Sequence, residues 1–97
     1  IRRPVLMSEP ITRTARIVNS KGLHARAAAK FCKTAEQFNA EVIVSRGELE
    51  VSSCSIMGLL MLAAAPGTEI TLTASGEEAQ RAMDTICQLV EDGFNET

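Results

Sequence analysis

The residues that could carry out chemistry centre on the stretch SKGLHARAAAK at 20–30, which holds the only histidine of the chain, His24. His24 lies between a glycine-containing turn and a run of alanines, and Arg26 follows it closely. A neutral imidazole can act as a nucleophile, and a planar guanidinium suits phosphate oxygens. This pair predicts a histidine that accepts a phosphoryl group and gives it away again.

The predicted position of His24 is the N-cap or first residue of a helix. The first amide N–H groups of a helix have no partners inside it, and together with the helix dipole they attract anions. Dipole terms of about 0.3–1 kcal/mol would hold a phosphoryl group loosely enough for a carrier to release it. A lone histidine at a helix start is more often a cap or a surface residue, so the spacing alone leaves that alternative open.

The composition excludes several other classes of function. The chain has 97 residues, a hydrophobic fraction of 45%, a charged fraction of 23% and a net charge of -2, which gives no general nucleic-acid footprint. It contains neither tryptophan nor tyrosine, so stacking of bases or sugars is not expected. Cys32, Cys54 and Cys87 are scattered without a CxxC pair, so we expect reduced thiols, no metal and no cofactor. No apolar run approaches the roughly 18 residues of a membrane span.

The periodicity of the chain predicts one mixed domain. Strands are expected at 12–18, at 41–45 and 48–52 around a hairpin turn at Arg46 and Gly47, and at 68–75. Helices are expected at 25–39, at 56–64 and from Gly76 to near the end of the chain, with acidic residues in the first turn of the last helix. The order β-α-β-β-α-β-α predicts an α+β sandwich, with three helices on one face of a four-stranded, mostly antiparallel sheet. Residues 1–10 are interpreted as a flexible leader and 11–97 as the domain.

The second predicted helix is apolar nearly all round. Ser55 precedes it as a candidate N-cap. One side, expected in the core, holds Leu59, Leu62 and Ala63. The opposite side is expected to form an exposed surface for partner proteins, here called the apolar patch, which consists of Ile56, Met57, Leu60 and Met61. Methionine side chains adapt to several partners, although packing of these side chains under the loops is the alternative.

Two segments together resemble the HPr family, the histidine-containing phosphocarriers of the bacterial phosphotransferase system. GLHARAAAKF resembles the active-site segment of that family, and SIMGLLMLAAAPGTEI at 55–70 resembles its regulatory-serine helix and the following strand. The family often has proline where Ala27 stands, and alanine is a strong helix former that should preserve the helix. The alanine-rich motif and the ending EDGFNET look more like the nitrogen-related, NPr-like branch than the sugar-uptake branch.

The resemblance implies roles for three residues and a set of partners. His24 would be phosphorylated at Nδ1, Arg26 would stabilise the phosphate, and Ser55 would be a regulatory site for a serine kinase. The donor would be enzyme I, charged by phosphoenolpyruvate, and the acceptor an EIIA-type protein. The chain would be a cytoplasmic, monomeric phosphocarrier and not an enzyme, without nucleic-acid or membrane partners.

Two other classes of function stay open at this point. The chain could be a regulatory protein-binding module whose docking is tuned by phosphorylation at His24 or Ser55. Loss of His24 would distinguish this hypothesis from the phosphocarrier, because docking should survive the loss and a relay should not. A small metal-binding domain is the third class, and the dispersed cysteines do not predict the clustered ligands that it would need.

Overall fold

The structure of the protein, a computed structural model, describes residues 10–95. The seven predicted elements occur in the predicted order: β1 (Ile11–Arg16), α1 (Ala25–Ala35), β2 (Glu41–Arg46), β3 (Leu49–Ser52), α2 (Ile56–Met61), β4 (Glu69–Ser75) and α3 (Ala79–Glu91). A short 3-10 turn, Gly93–Asn95, follows α3. Residues 1–9 of the predicted leader lie outside the described residues.

The four strands form one antiparallel sheet in the order β1-β4-β2-β3. The predicted hairpin between β2 and β3 is confirmed, but its turn was predicted one residue too early: Arg46 is the last residue of β2 and pairs with Leu49, so Gly47 and Glu48 form the turn. Among the described residues, β1 pairs with β4 alone, and Ile11 lies opposite Ala74. The first and last of these four strands are therefore neighbours, and β3 and β1 form the edges of the sheet as described.

β2 and β4 alternate buried residues with half-buried or exposed ones, as expected when one face of a sheet packs against helices, and Ala15 is the buried residue of β1. α1 and α3 each contribute a buried stripe to the same core, and α2 contributes Leu59. The predicted α+β open-faced sandwich is confirmed. The largest fully buried side chains are Phe31, Phe94, Ile17, Leu59, Leu62, Ile70, Leu72, Met83, Ile86, Val44, Val90 and Cys87.

The predicted start of α3 at Gly76 was wrong. The helix begins at Ala79, and no acidic residue lies in its first turn. The two preceding glutamates instead bind the turn after α1: the Asn39 backbone N–H donates to Glu78 Oε1 at 2.7 Å, and Asn39 Nδ2 donates to Glu77 Oε1 at 2.8 Å. These contacts fix residues 76–78 outside the helix and join the ends of α1 and α3.

The second helix is also shorter than predicted. It ends at Met61, and Ala63 has a φ of +52°, in the left-handed region that ends helices. Ala63 is exposed, so its predicted place in the core was wrong, whereas Leu59 and Leu62 are buried as predicted. The Arg46 guanidinium donates to the Leu62 carbonyl oxygen at 3.0 Å, which satisfies one of the last carbonyls of the helix.

Among the described residues, no helix combines the length and the apolar character that crossing a membrane requires.

Candidate functional site

His24 is the N-cap residue of α1, one of the two positions predicted for it. Its backbone is extended, with φ -88° and ψ -178°, and its carbonyl oxygen accepts the Ala28 N–H at 2.8 Å. The side chain is half-buried and makes no capping hydrogen bond to the helix. The imidazole therefore lies at the positive end of an 11-residue helix without serving as its cap.

The loop that carries His24, residues 19–24, is called here the histidine loop. Asn19 is buried, and its Nδ2 donates to the Gly22 carbonyl oxygen at 2.7 Å. The Leu23 N–H donates to the carbonyl oxygen of Ala64, in the segment after α2, at 2.9 Å. These bonds brace the histidine loop from within and against the segment that follows α2.

Gly22 is where this brace requires glycine. Its φ is +66°, a conformation that side-chain-bearing residues rarely adopt. A Cβ at this position would lie 2.6 Å from the Ala64 carbonyl oxygen, much closer than atoms in contact approach. The glycine therefore permits the close approach of the two backbone segments next to His24.

The start of α1 has the properties of an anion site. The N–H groups of Ala25, Arg26 and Ala27 have no acceptor within the helix, and no acidic residue lies in the first turn. The Arg26 side chain is exposed. Ala27, at the position where the family often has proline, is fully buried inside a regular helix, so the expectation that the helix survives this replacement is confirmed.

The four side chains of the predicted apolar patch differ in accessibility. Met57 is 69% exposed, Met61 64% and Ile56 42%. Leu60 is half-buried and packs against the core, so it forms the edge of the patch and not its centre. Three apolar side chains of one short helix thus face away from the core.

A groove connects this patch with the start of α1. Its volume is about 390 Å³ and it is lined by Arg26, Ala29, Lys30, Cys32, Lys33, Glu36 and Ile56. Arg26 is two residues from His24 in the sequence, and Ile56 belongs to the apolar patch. The two predicted parts of the site therefore meet along one surface.

Ser55 is the N-cap of α2, as predicted. Its Oγ accepts the Gly58 N–H at 3.0 Å, and the side chain is half-buried. Gly58 faces β3 so closely that an added Cβ would lie 2.9 Å from the Val51 Cβ. Ser55 therefore sits at a fixed helix start directly beside the apolar patch.

The structure also forms a cluster that the sequence did not predict, here called the thiol cluster. The ligand atoms of Cys32, Glu36 and Cys54 all lie within 4.8 Å of one another. Burial raises the pKa of the Cys32 thiol, and the neighbouring Glu36 carboxylate raises it further. The expectation that the cysteines are dispersed was wrong for this pair, because the fold brings together residues far apart in the sequence. Only the i, i+4 spacing of Cys32 and Glu36 on α1 could have signalled it.

Comparison with known proteins identifies the class to which this fold and site belong. The family described as "PTS HPr component phosphorylation site" matches residues 11–92. Phosphocarrier protein NPr of Shewanella violacea is 44% identical over 86 residues, covering 89% of this chain and 94% of that protein. Phosphocarrier protein HPr of Neisseria meningitidis serogroup A is 48% identical over 80 residues, covering 82% and 90%. The crystal structure of HPr-C-His from Thermoanaerobacter tengcongensis matches with a TM-score of 0.85 and 34% identity, covering 90% of this chain and 98% of that one.

These matches show a protein of the phosphocarrier class. The chain belongs to the HPr family of the phosphotransferase system. The matched relatives include one protein named NPr and several named HPr at similar identity, so identity does not separate the two branches.

Proposed function

We propose that the chain accepts a phosphoryl group on Nδ1 of His24 from the phosphohistidine of enzyme I and passes it to a histidine of an EIIA-type protein. Enzyme I takes the group from phosphoenolpyruvate. The observation that carries the proposal is the half-buried His24 side chain at the positive end of α1, next to Arg26 and without an acidic residue in that turn.

The transfer moves one phosphoryl group between two imidazoles. A ring nitrogen of His24 attacks phosphorus, the nitrogen–phosphorus bond of the donor breaks, and the donor histidine keeps the released electron pair. Arg26 and the first amides of α1 then face the charged oxygens. Because the dipole term is only about 0.3–1 kcal/mol, the product stays reactive enough for transfer to the next histidine. The chain works as a stoichiometric relay and not as a stand-alone catalyst.

Incubation with enzyme I and radiolabelled phosphoenolpyruvate tests this proposal. The wild-type chain should acquire an acid-labile phosphate, and His24→Ala should acquire none while its far-ultraviolet circular dichroism stays unchanged. Arg26→Ala should be labelled more slowly, with Arg26→Lys between the two because it keeps the charge and loses the planar fork. Undiminished labelling of His24→Ala would refute the proposal.

The apolar patch is proposed to dock both the donor and the acceptor. Met57, its most exposed member, is the residue to change. Met57→Glu should keep stability within about 1 kcal/mol, as surface changes do, and weaken enzyme I binding by about thirtyfold, the loss of a contact worth about 2 kcal/mol.

Thr85→Glu provides a matched control for this experiment. It adds the same charge at an exposed position of α3, away from the patch. Titration calorimetry with enzyme I should show wild-type affinity for this control. Equal affinity of Met57→Glu and Thr85→Glu would remove the patch from the docking interface, and unfolding of Met57→Glu would place Met57 in the core.

A regulatory binding module is the second candidate function, supported by the three exposed apolar side chains of α2. Phosphorylation of Ser55 by a serine kinase would then add negative charge beside the patch and weaken an acidic partner's approach. Ser55→Asp should slow transfer from enzyme I, whereas Ser52→Asp, at an exposed neighbour, should not. If the His24→Ala variant binds the partner proteins and regulates them as the wild type does, docking is the principal function. The phosphoryl relay is then not the principal function.

The cellular location of the relay, the oligomeric state of the chain and its branch of the phosphotransferase system are also proposed. We propose a cytoplasmic relay, in keeping with membership of the HPr family, in which the chain acts as a monomer. We assign it to a nitrogen-type system on the basis of the alanine-rich histidine motif and the EDGFNET ending. Transfer from the phosphorylated chain to nitrogen-type and sugar-type EIIA proteins in competition should favour the nitrogen type. Faster transfer to the sugar type would assign the other branch.

A further inference from the structure

The thiol cluster brings three potential metal ligands to one point. Its two sulfurs and a carboxylate oxygen of Glu36 lie within 4.8 Å of one another. In a tetrahedral site with metal–sulfur bonds of about 2.3 Å, neighbouring ligand atoms are about 3.8 Å apart. The observed spread therefore requires only small rotamer adjustments to surround one ion.

Each ligand stands on a well-supported backbone. Cys32 and Glu36 are one turn apart at α1, and the Cys32 thiol lies 3.6 Å from Glu36 Oε2. Cys54 lies in the turn between β3 and α2, where its N–H donates to Ser52 Oγ at 3.1 Å. The buried Ser53 holds the same turn to β2, since its N–H donates to the Val42 carbonyl oxygen at 2.9 Å. The cluster is thus positioned by two separate elements of the fold.

We propose that Cys32, Glu36 and Cys54 bind one thiophilic divalent cation of the zinc type, with water as the fourth ligand. On binding, both thiols release their protons to solvent and coordinate as thiolates. The ion then joins α1 directly to the turn that leads into Ser55 and the apolar patch. Nothing in this site depends on the phosphoryl relay, because His24 and Arg26 are not among its ligands.

Access and charge both suit such an ion. Cys32 and Glu36 line the groove beside Arg26, so the site opens to solvent on one side, and Cys54 is exposed. Two thiolates and a carboxylate leave the occupied site with one net negative charge. Lys33 lines the same groove and offers a compensating positive charge, whereas Lys30 is held elsewhere, since its Nζ donates to the Phe94 carbonyl oxygen at 2.7 Å.

Cobalt binding to the fully reduced 97-residue chain tests the proposal. One equivalent of Co²⁺ should produce a near-ultraviolet sulfur-to-cobalt charge-transfer band and the visible bands of a tetrahedral ion. Added Zn²⁺ should displace the Co²⁺ and abolish these bands. Zn²⁺ should also raise the melting temperature of the protein, because an ion that binds only the folded state stabilises it.

Variants at exposed ligands keep this test separate from folding. Cys54→Ser and Glu36→Gln should each weaken Co²⁺ binding by more than about tenfold, the smallest loss that removal of even an outer-shell partner usually causes. Cys87→Ala removes the cysteine outside the cluster and should bind like the wild type. Wild-type affinity in Cys54→Ser, or no charge-transfer band in the wild type, would overturn the proposal.

A redox pair is the competing interpretation of the same geometry. Hydrogen peroxide would convert the two thiols of Cys32 and Cys54 into a disulfide and two water molecules, lowering the count of free thiols from three to one. If peroxide forms that disulfide while the reduced chain binds no Co²⁺, the metal site is rejected and the cluster is a thiol–disulfide switch.

Discussion

Replacement of Gly22 by alanine should both destabilise the protein and slow the phosphorylation proposed at His24. A left-handed conformation costs a residue with a side chain about 1–2 kcal/mol, and φ is +66° here. The new Cβ would also lie 2.6 Å from the Ala64 carbonyl oxygen, so the two segments must separate. That separation breaks the hydrogen bond from the Leu23 N–H, and an unsatisfied buried donor costs about 1–3 kcal/mol. The expected total loss is about 2–5 kcal/mol.

Gly47 offers a matched control in the turn of the β2–β3 hairpin. Its φ is +64°, nearly that of Gly22, but nothing lies within 4 Å of an added Cβ. Gly47→Ala should therefore lose only the conformational term, about 1–2 kcal/mol. Urea unfolding should place the midpoint of Gly22→Ala about 1–3 M below that of Gly47→Ala, for a slope of about 1 kcal/mol per M.

The functional readout uses the same pair of variants. Labelling from enzyme I and phosphoenolpyruvate should be slower for Gly22→Ala than for Gly47→Ala under conditions where both are folded, because only the first displaces the histidine loop. Equal urea midpoints for the two variants would show that the 64–66 segment yields without cost. The hydrogen bond between the Leu23 N–H and the Ala64 carbonyl oxygen would then not be what holds the histidine loop in place.

Three further predictions concern helix ends and thiols. Ala63→Gly replaces an exposed alanine that has a left-handed backbone conformation, which removes a conformational cost of about 1–2 kcal/mol. The greater flexibility of glycine in the unfolded chain offsets about 0.5–1 kcal/mol of this. The free energy of unfolding measured with urea should therefore rise by about 0.5–1 kcal/mol, and a fall would contradict this. Ser55→Ala deletes the cap bond to the Gly58 N–H and should cost about 1 kcal/mol by the same measurement, and no change would show that the cap is not stabilising. Among the thiols, exposed Cys54 should react first with a disulfide reagent. Cys87 should react last and with a pH midpoint above that of an ordinary thiol, because burial raises its pKa and less thiolate is present at a given pH; rapid reaction of all three thiols would contradict the buried position.

The sequence predicted best what depends on local pattern. Alternation identified β4, and helical spacing identified α1 and α3, because a buried face repeats with a fixed period in each. Ser55 was recognisable as a cap because a hydroxyl before an apolar helix has a specific partner, the free N–H groups of the first turn.

The features that the sequence did not predict depend on contacts between distant residues. Glu77 and Glu78 look like the first turn of a helix until Asn39 approaches them. The left-handed conformation of Ala63 contradicts its local preference and is set by the path of the chain between α2 and β4. The thiol cluster requires α1 to lie beside the turn before α2, and no residue spacing in the sequence predicts that Cys54 contacts α1.

The pairing of β1 with β4 has a consequence for how the protein is made. Within residues 10–95, β1 has no other partner strand, and the histidine loop that follows it is held by Ala64, about 40 residues later in the chain. Contacts between such distant residues form slowly, because a long loop must close before they stabilise anything. A chain emerging from the ribosome therefore carries His24 early but cannot order it until β4 has been synthesised. Truncated chains that end before β4 should be poor phosphoryl acceptors, and nascent chains should not take phosphoryl groups from the donor.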